Sequence, residues 1–361
     1  MRLSLFWRKF SRMSQKVRII FKRDTFSVIF EERGIESKFF VFDYEYRLNI
    51  AFVGGKTYRV GFDGSVMCVY VDNIKFLGFE DSSFLIRQVY DEVRDVLKQG
   101  NFEFTNLGYS FENENDVLMG FSLIDYDKLL SKTREFREFV GYVPILPPDQ
   151  YMSLYVPLTI GCSYNKCSFC NLYKDRSFRI RSEYEVRELT KKIVEMFGKS
   201  LFTRRGIFLG EGNVFVEKTE QIVLGIRSIK EVLGNSPYIL FDINNSFYGF
   251  MDTFHTMKSI EELKVLKEEG VRRVYIGLES GDEFILNYLL NKPSESGKVL
   301  NTVYNLKTVG INVGIIILVG VGGKKFRNKH FDNTVKLIEK MNLSEGDIVY
   351  LSPMVEYANL E

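Results

Sequence analysis

The sequence predicts an α/β fold: a partial, TIM-like (βα)6 barrel that follows an N-terminal accessory domain rich in strands. Three observations predict it. After residue 148, continuous apolar runs alternate with helical patterns, as in parallel strands that are covered on both faces. Six such runs are too few for a closed eight-stranded barrel, which favours an open one. Before that residue, short β-branched and aromatic stretches alternate with turn signals instead.

The first 23 residues, MRLSLFWRKFSRMSQKVRIIFKR, form a basic segment. It contains eight Arg or Lys residues and no acidic residue. Apolar residues recur in it at helical spacing, which predicts an amphipathic helix: Leu3, Phe6, Trp7, Phe10, Met13 and Val17. Three interpretations stay open. The helix makes weak contact with a membrane surface or nucleic acid, or it packs on the protein's own body. Alternatively, the protein begins at Met13 and the residues before it are not part of it.

Residues 24–147 are expected to form an α+β accessory domain. Strand-like stretches such as TFSVIFEE and KFFVFDYEYRL predict a sheet between residue 25 and about residue 125. Helical patterns cover residues 82–98 and 126–139. The paired prolines of ILPPDQ lack N–H donors and restrict the residue before them, so they place a domain boundary between residues 147 and 148.

Residues 148–361 are expected to form the barrel. The predicted strands cover residues 155–160, 206–210, 238–242, 274–278, 313–319 and 348–352. The predicted helices cover residues 183–197, 217–233, 259–269, 282–309 in two pieces, and 330–341. Crossover connections in such a fold are right-handed, and its chemistry lies at the C-terminal ends of the strands.

Composition narrows the class of protein. The chain has 45% hydrophobic and 27% charged residues, as ordinary globular domains do, and its net charge of +2 makes no global case for nucleic acid. Four cysteines in 361 residues do not suit a secreted disulfide framework, and their clustering indicates a reducing, cytoplasmic location. No apolar run approaches the roughly 20 residues of a transmembrane segment.

Three of the four cysteines lie within nine residues, in TIGCSYNKCSFCNLYKD: Cys162, Cys167 and Cys170. Packing does not require such clustering, whereas a metal centre does. Three thiolates on one loop can bind three irons of a [4Fe–4S] cluster and leave the fourth iron without a protein ligand, unlike ordinary four-cysteine electron carriers. Cys68, in the strand-like VMCVYV, is expected to be a packed apolar residue. A zinc site with Cys68 or a histidine as fourth ligand stays an alternative.

With these residues, the sequence resembles the radical S-adenosylmethionine (radical SAM) superfamily. More closely, it resembles a group of radical SAM iron–sulfur proteins of uncharacterised activity with a C-x4-C-x2-C loop. The resemblance covers residues 145–361 and depends on five stretches in the expected order: PPDQY, GCSYNKCSFCNLYKDRSFRIRS, FLGEGN, VYIGLESGDE and VGIIILVGVGG. The usual loop of the superfamily is C-x3-C-x2-C, so this chain carries one extra residue.

The resemblance implies an enzyme whose cofactors are a [4Fe–4S] cluster and S-adenosyl-L-methionine (SAM). Cys162, Cys167 and Cys170 would be the metal ligands and catalytic residues. SAM would be cleaved reductively to a 5′-deoxyadenosyl radical, which abstracts hydrogen from a substrate that the sequence does not identify. The implied partner is a reducing electron donor of the flavodoxin or ferredoxin type.

The resemblance also implies residues that bind SAM. They are Phe169 and Gly320 with Val321 near the adenine, Gly210 and Glu211 at the amino group, Asn244 at the ribose, and Glu279 and Ser280 near the carboxylate and ribose. His330 is expected to open the helix after the fifth strand and is a weak candidate for the substrate site.

Each of these residues has a structural alternative. Gly210 and Gly212, the glycines on either side of Glu211, suit a strand-to-helix turn, and Asn244 with Asn245 suits a turn cap. Glu279 suits an ion pair with Arg272 or Arg273. The alternative function for the whole chain is a non-catalytic zinc or iron–sulfur module in a nucleic-acid-binding protein.

Overall fold

The computed structural model describes residues 16–32, 35–71, 73–108, 112–141, 143, 145–255 and 257–354. It contains two compact units. Of the described residues, those up to 141 with 193–203 form the first, and those from 143 to 192 with 204–354 form the second. The boundary expected at 147/148 lies within the second unit. Among the described residues, no helix is both long and apolar enough to cross a membrane.

The first unit contains an eight-stranded sheet with the order β7-β6-β5-β4-β3-β2-β1-β8. Its strands are β1 (Lys16–Phe21), β2 (Thr25–Glu32), β3 (Ile35–Asp43), β4 (Leu48–Val53), β5 (Lys56–Val60), β6 (Val66–Tyr70), β7 (Asn73–Phe76) and β8 (Glu103–Asn106). Its helices are α1 (Phe79–Gln99), α2 (Glu114–Ser122) and α3 (Tyr126–Val140). Sequence reasoning did not predict α2, whose start is capped by the Asn113 side chain.

Stacked aromatic rings fill the core of the first unit. The rings of Phe26 and Phe42 stack with centroids 5.3 Å apart, and Phe121 meets Phe42 edge-on at 4.9 Å. Tyr90 stacks on Phe121 at 5.5 Å. These contacts explain where many of the chain's aromatic residues are buried.

Strand β1 corrects the prediction for the N-terminal segment. Lys16–Phe21 pair with β2 on one side and with β8 on the other, so they do not continue a helix to residue 23. The burial of KVRIIF alternates with a period of two, and Ile19 and Phe21 are fully buried. Ladder hydrogen bonds on both edges and this alternation outweigh the helical spacing of the apolar residues. Residues 1–15 of the predicted helix lie outside the described residues.

The second unit contains six parallel strands in the order β16-β15-β14-β13-β12-β9, which confirms the predicted partial barrel. Its strands are β9 (Leu154–Tyr155), β10 (Thr159–Ile160), β11 (Arg179–Ile180), β12 (Ile207–Phe208), β13 (Phe247–Met251), β14 (Val271–Glu279), β15 (Asn312–Val319) and β16 (Ile348–Pro353), of which β10 and β11 form a separate pair. Its helices are α4 (Glu183–Phe197), α5 (Thr219–Gly234), α6 (Ile260–Glu268), α7 (Ser296–Thr308) and α8 (Gly323–Lys340).

The last turn of α4 belongs to the first unit. The Arg47 guanidinium donates to the carbonyl of Met196 at 2.6 Å and to the Ser200 hydroxyl at 2.7 Å. Ser200 in turn donates to Asp43 at 2.6 Å. These bonds satisfy a buried arginine and carboxylate and explain why residues 193–203 group with the first unit.

The third strand differs from the prediction. Residues 238–242 form no strand, and β13 covers Phe247–Met251 instead. The Asp242 side chain accepts from the N–H of Asn244 at 3.0 Å, and this turn ends the apolar run YILFD. The central glycine of FYGFM made this segment look unlike a strand. Glycine is needed there, because a Cβ on Gly249 would lie 2.7 Å from the Val214 side chain. Asn244 therefore precedes the third strand instead of following it.

The Asp149 carboxylate forms a hub that connects strands β14 and β16 of the parallel sheet to the segment before β9. Asp149 accepts from Arg273 at 2.7 Å, from Tyr275 at 2.5 Å and from Tyr350 at 2.6 Å. Burial opposes its ionisation, but the hydrogen bonds from Tyr275, Tyr350 and Gln150 and the charge of Arg273 hold the pKa of Asp149 below its usual value. The stretch PPDQY thus has a structural role in this chain.

Replacement of this hub should destabilise the protein in a pH-dependent way. Asp149→Asn is expected to lower the free energy of unfolding by about 1–3 kcal/mol at pH 7, because charged hydrogen bonds are lost. A lowered folded pKa means that the stabilisation is complete above the unfolded pKa of about 3.9 and is lost as the pH falls through the folded pKa. Denaturation at pH 7 and below pH 4 measures whether the difference from wild type shrinks in acid. Asp332→Asn, at an exposed carboxylate, is the control, and an Asp149→Asn protein of wild-type stability at pH 7 would contradict the expectation.

Candidate active site

The three clustered cysteines lie on the loop between β10 and β11. All three are half-buried free thiols. The pairing of Thr159 with Ile180 and of Ile160 with Arg179 holds the two ends of the loop together. Inside the loop, the backbone N–H of Asn165 donates to Cys162 Sγ at 3.4 Å. The protein chain itself therefore shapes the loop.

The thiols fit a metal–sulfur group by their chemistry. The pKa of Cys167 is raised to about 11, mainly by burial and also by the nearby Cys170 and Cys162, while Lys292 opposes the shift. Such thiols need a cationic partner to ionise, and iron–sulfur clusters take soft thiolates of this kind. No group of three or more His, Cys, Asp or Glu side chains in the described part of the chain is arranged to hold a single metal ion.

Glu211 fastens the cysteine loop to the strand-to-helix turn after β12. Its carboxylate is 4% exposed, accepts from the backbone N–H of Gly161 and bonds Arg176 Nη1 at 3.1 Å. Arg176 also binds Asp175 at 2.9 Å. Both carboxylate oxygens of Glu211 therefore hold residues that flank the cysteines.

The glycines of FLGEGN have different surroundings. A Cβ on Gly210 would lie 3.2 Å from Thr159 Oγ1 and Val214 Cβ, so this position packs against the protein itself. A Cβ on Gly212 would lie only 2.7 Å from Cys162 Cβ and 3.1 Å from its Sγ. The Gly212 N–H also donates to the Gly161 carbonyl at 3.2 Å. Gly212, which the sequence predicted only as a turn glycine, is the residue that lets the turn approach Cys162.

Glu279, at the end of β14, has a different partner from the ones expected. It pairs with Lys292 at 2.8 Å, whereas Arg273 binds Asp149. The alternative of an ion pair with Arg273 is therefore wrong, because Arg273 binds Asp149 and Lys292 binds Glu279. Glu279 has φ of +59°, an uncommon conformation for a residue with a side chain. Lys292 had no recognisable signal in the sequence.

Ser280 and His330 meet although 50 residues separate them. Ser280 is fully buried, and its hydroxyl lies 2.9 Å from His330 Nδ1. Burial lowers the pKa of His330, while Asp282 opposes the shift. The prediction that His330 opens its helix is wrong, because α8 begins at Gly323, directly after a turn with Gly320 and Gly322 at φ of +93° and +79°.

An apolar cluster brings together two of the residues expected near adenine. Phe169 from the cysteine loop packs against a cluster that contains Val321, which is 2% exposed. The other members of this cluster come from the segment after β14: Ile285, Leu286 and Leu290. Asn244 is not brought to this region, because it precedes β13 and its carbonyl lies against Gly270, the residue before β14.

Asp252 is the residue that follows β13. Sequence reasoning did not propose it as a site residue, nor the Asn213 and His255 side chains that contact it. Asp252 accepts from the Asn213 side chain at 2.7 Å and lies 2.6 Å from His255 Nδ1. The ring of Tyr164, from the cysteine loop, contacts the ring of His255 at 5.9 Å. Asn213 is 3% exposed, and its Oδ1 has no hydrogen-bond partner among the described residues. A buried amide oxygen without a partner suits a ligand that donates to it.

Sequence comparison decides the family. The profile of the Radical SAM superfamily matches residues 156–338, just over half of the chain. The chain belongs to the radical SAM superfamily. This confirms the resemblance inferred from the motifs, and the family's match begins six residues before Cys162. No curated protein sequence matches the chain significantly.

Several solved radical SAM structures are similar to the chain. Coproporphyrinogen III oxidase from Escherichia coli is 18% identical, with 62% of this chain and 47% of that chain covered and a TM-score of 0.43. The methyltransferase TsrM from Kitasatospora setae, with tryptophan substrate and a SAM analog bound, is 13% identical, with 55% and 35% covered and a TM-score of 0.40. Methylornithine synthase is 18% identical, with 73% and 68% covered and a TM-score of 0.39. The chain thus spans less than half the length of the first two.

Proposed function

We propose that the chain is a radical SAM enzyme that binds a [4Fe–4S] cluster through Cys162, Cys167 and Cys170. The observation that carries the proposal is the set of three half-buried thiols on one preformed loop of a radical SAM core. When bound and reduced, the cluster would supply the electron for cleavage of the S–C5′ bond of SAM, which would give methionine and a 5′-deoxyadenosyl radical able to take hydrogen from a substrate.

The residues around the loop have the task of holding the three thiols in place. Glu211 binds the backbone before Cys162 and the guanidinium of Arg176 after Cys170. Gly212 lets the turn after β12 press against Cys162. Preorganised ligands of this kind reduce the conformational cost of binding a metal group.

The expected SAM contacts divide by chemistry. The unpartnered Oδ1 of Asn213, next to Gly212, supports an additional contact to the SAM amino group. Phe169, with Val321 and Gly320, offers an apolar and partly backbone surface for adenine. Glu279 and Ser280 stay proposed contacts near the carboxylate and ribose, and Gly210 and Glu211 near the amino group. Asn244 is not proposed, because it precedes the third strand.

The proposal is tested by anaerobic reconstitution of the full chain with iron and sulfide. We expect about four irons per chain, a spectrum that changes when SAM is added, and 5′-deoxyadenosine after reduction. Dithionite replaces the proposed flavodoxin- or ferredoxin-like donor in this assay. Mass spectrometry of 5′-deoxyadenosine formed in deuterated cell extract then tests hydrogen abstraction from a substrate.

Other outcomes have clear meanings. A protein that takes up zinc instead of iron, or holds a cluster whose spectrum does not respond to SAM, would support the alternative non-catalytic module. A cluster that responds to SAM without any 5′-deoxyadenosine would contradict the proposed turnover. Fluorescence-detected binding of RNA to the full chain, compared with a chain that begins at Met13, tests the proposed surface contact of the basic N-terminus.

A further inference from the structure

We infer that Lys292 and Glu279 form a buried charge pair that sets the reduction potential of the cluster held by the cysteine loop. This inference rests on the proposed function, because it requires a cluster on Cys162, Cys167 and Cys170. Lys292 and Glu279 are positioning residues in this role, since they act through the field they impose on the cluster.

Hydrogen bonds attach the segment before Lys292 to the cysteine loop. The N–H of Ser168 donates to the carbonyl of Leu290 at 2.9 Å. The Asn291 side chain donates to the carbonyl of Lys166 at 2.9 Å, and the Tyr164 hydroxyl donates to the carbonyl of Asn291 at 2.8 Å. Lys166 and Ser168 flank Cys167. One backbone bond and two side-chain bonds to backbone carbonyls therefore hold the residue before Lys292 beside the loop.

The Lys292 ammonium is fixed at the end of β14. It donates to the carbonyl of Gly277 and to Glu279 Oε1 at 2.8 Å. The Lys292 side chain is 14% exposed and the Glu279 side chain 11%. A Cβ on Gly277 would lie 2.9 Å from the ammonium, so only glycine leaves it this position. Both charges are thus held in a place where water screens them weakly.

The Lys292 ammonium pairs directly with the Glu279 carboxylate of β14, and each group stabilises the charged form of the other. Lys292 follows Leu290 and Asn291, which bond the residues on either side of Cys167. The charge pair is therefore joined to the cluster loop through the shortest possible stretch of chain.

Reduction adds one negative charge to a cluster. A fixed cation nearby stabilises the reduced state and raises the reduction potential, whereas a fixed carboxylate lowers it. The two members of the pair therefore have opposite effects. Loss of packing or of loop order would not produce shifts of opposite sign, so the sign separates an electrostatic role from a structural one.

The test is a redox titration of the reconstituted full chain, followed by electron paramagnetic resonance and performed without SAM. Lys292→Met is expected to move the midpoint potential to a more negative value, and Glu279→Gln to a more positive one. Lys292→Arg keeps the charge and is expected to restore a potential close to wild type. Lys298→Met is the matched control, because Lys298 on α7 also pairs with a glutamate, Glu295 at 2.8 Å, but its side chain is 50% exposed and solvent screens its charge.

Iron and sulfide content is measured on every variant before the titration. Wild-type potentials in both Lys292→Met and Glu279→Gln, at wild-type iron content, would overturn the inference, as would shifts in the same direction. If Lys292→Met fails to hold a cluster, the sign of the shift in Glu279→Gln decides. A wild-type chain that forms no cluster would overturn the proposed function and this inference with it, whereas a SAM-responsive cluster with an unchanged potential in the variants would overturn only the inference.

Discussion

Alanine at Cys162, Cys167 or Cys170 is expected to abolish the four-iron cluster and the formation of 5′-deoxyadenosine. The three thiols lie on one loop whose ends are paired, so loss of any one leaves only two protein ligands. Ordinary four-iron clusters have four cysteine ligands, and a site that starts with three has none to spare. Iron and sulfide counts per chain, with chromatography of the reaction products, measure both effects.

Cys68→Ala is the control for these variants and is expected to keep both cluster and activity. Cys68 lies in β6 of the first unit, is half-buried and lies opposite Tyr58 of β5 in the sheet. Removing it should cost only local packing. A Cys68→Ala protein without a cluster would instead indicate a four-cysteine centre or the zinc alternative.

Gly212→Ala is expected to cause the second largest loss of cluster. The added Cβ would lie 2.7 Å from Cys162 Cβ, a separation that real Cβ contacts do not show. Either the turn after β12 or the cysteine loop must move, and overpacking of this kind costs roughly 1–3 kcal/mol. Cluster affinity should therefore fall about fivefold to a hundredfold, since 1.4 kcal/mol corresponds to a factor of ten. Iron content after reconstitution at limiting iron measures this fall.

Gly297→Ala provides a matched substitution. Gly297 lies in the first turn of α7, and a Cβ there would meet no atom within 4 Å. Alanine at this position should leave iron content unchanged and raise the free energy of unfolding by up to about 1 kcal/mol, because glycine is a poor helix former. Equal iron content in Gly212→Ala and Gly297→Ala would show that the close approach to Cys162 does not matter for the cluster.

Much of the fold followed from local patterns. Buried parallel strands such as VYIGL and VGIIILV are apolar throughout, and they appear as β14 and β15. The prediction of the third strand was wrong. Its true segment, FYGFM, carries a central glycine, whereas the more apolar YILFD ends in a turn capped by Asp242. The helix predicted for KVRIIF was wrong for a related reason. Its apolar residues fit both helical and alternating spacing, and only the pairing of β1 with β2 and β8 decides between the two.

The sequence by itself determined the family, the cysteine loop and the edge of the sheet on which it lies, because these depend on residues that are neighbours in the chain. Only the tertiary structure decided which charged and polar groups meet. Gly161 meets Glu211, Ser280 meets His330, and Asn291 meets Tyr164 across long stretches of chain. Such pairs depend on strand register and on where each connection returns to the sheet. A shift of one residue in register turns a side chain to the other face, and the hydrophobic pattern carries no information about the partner it then finds.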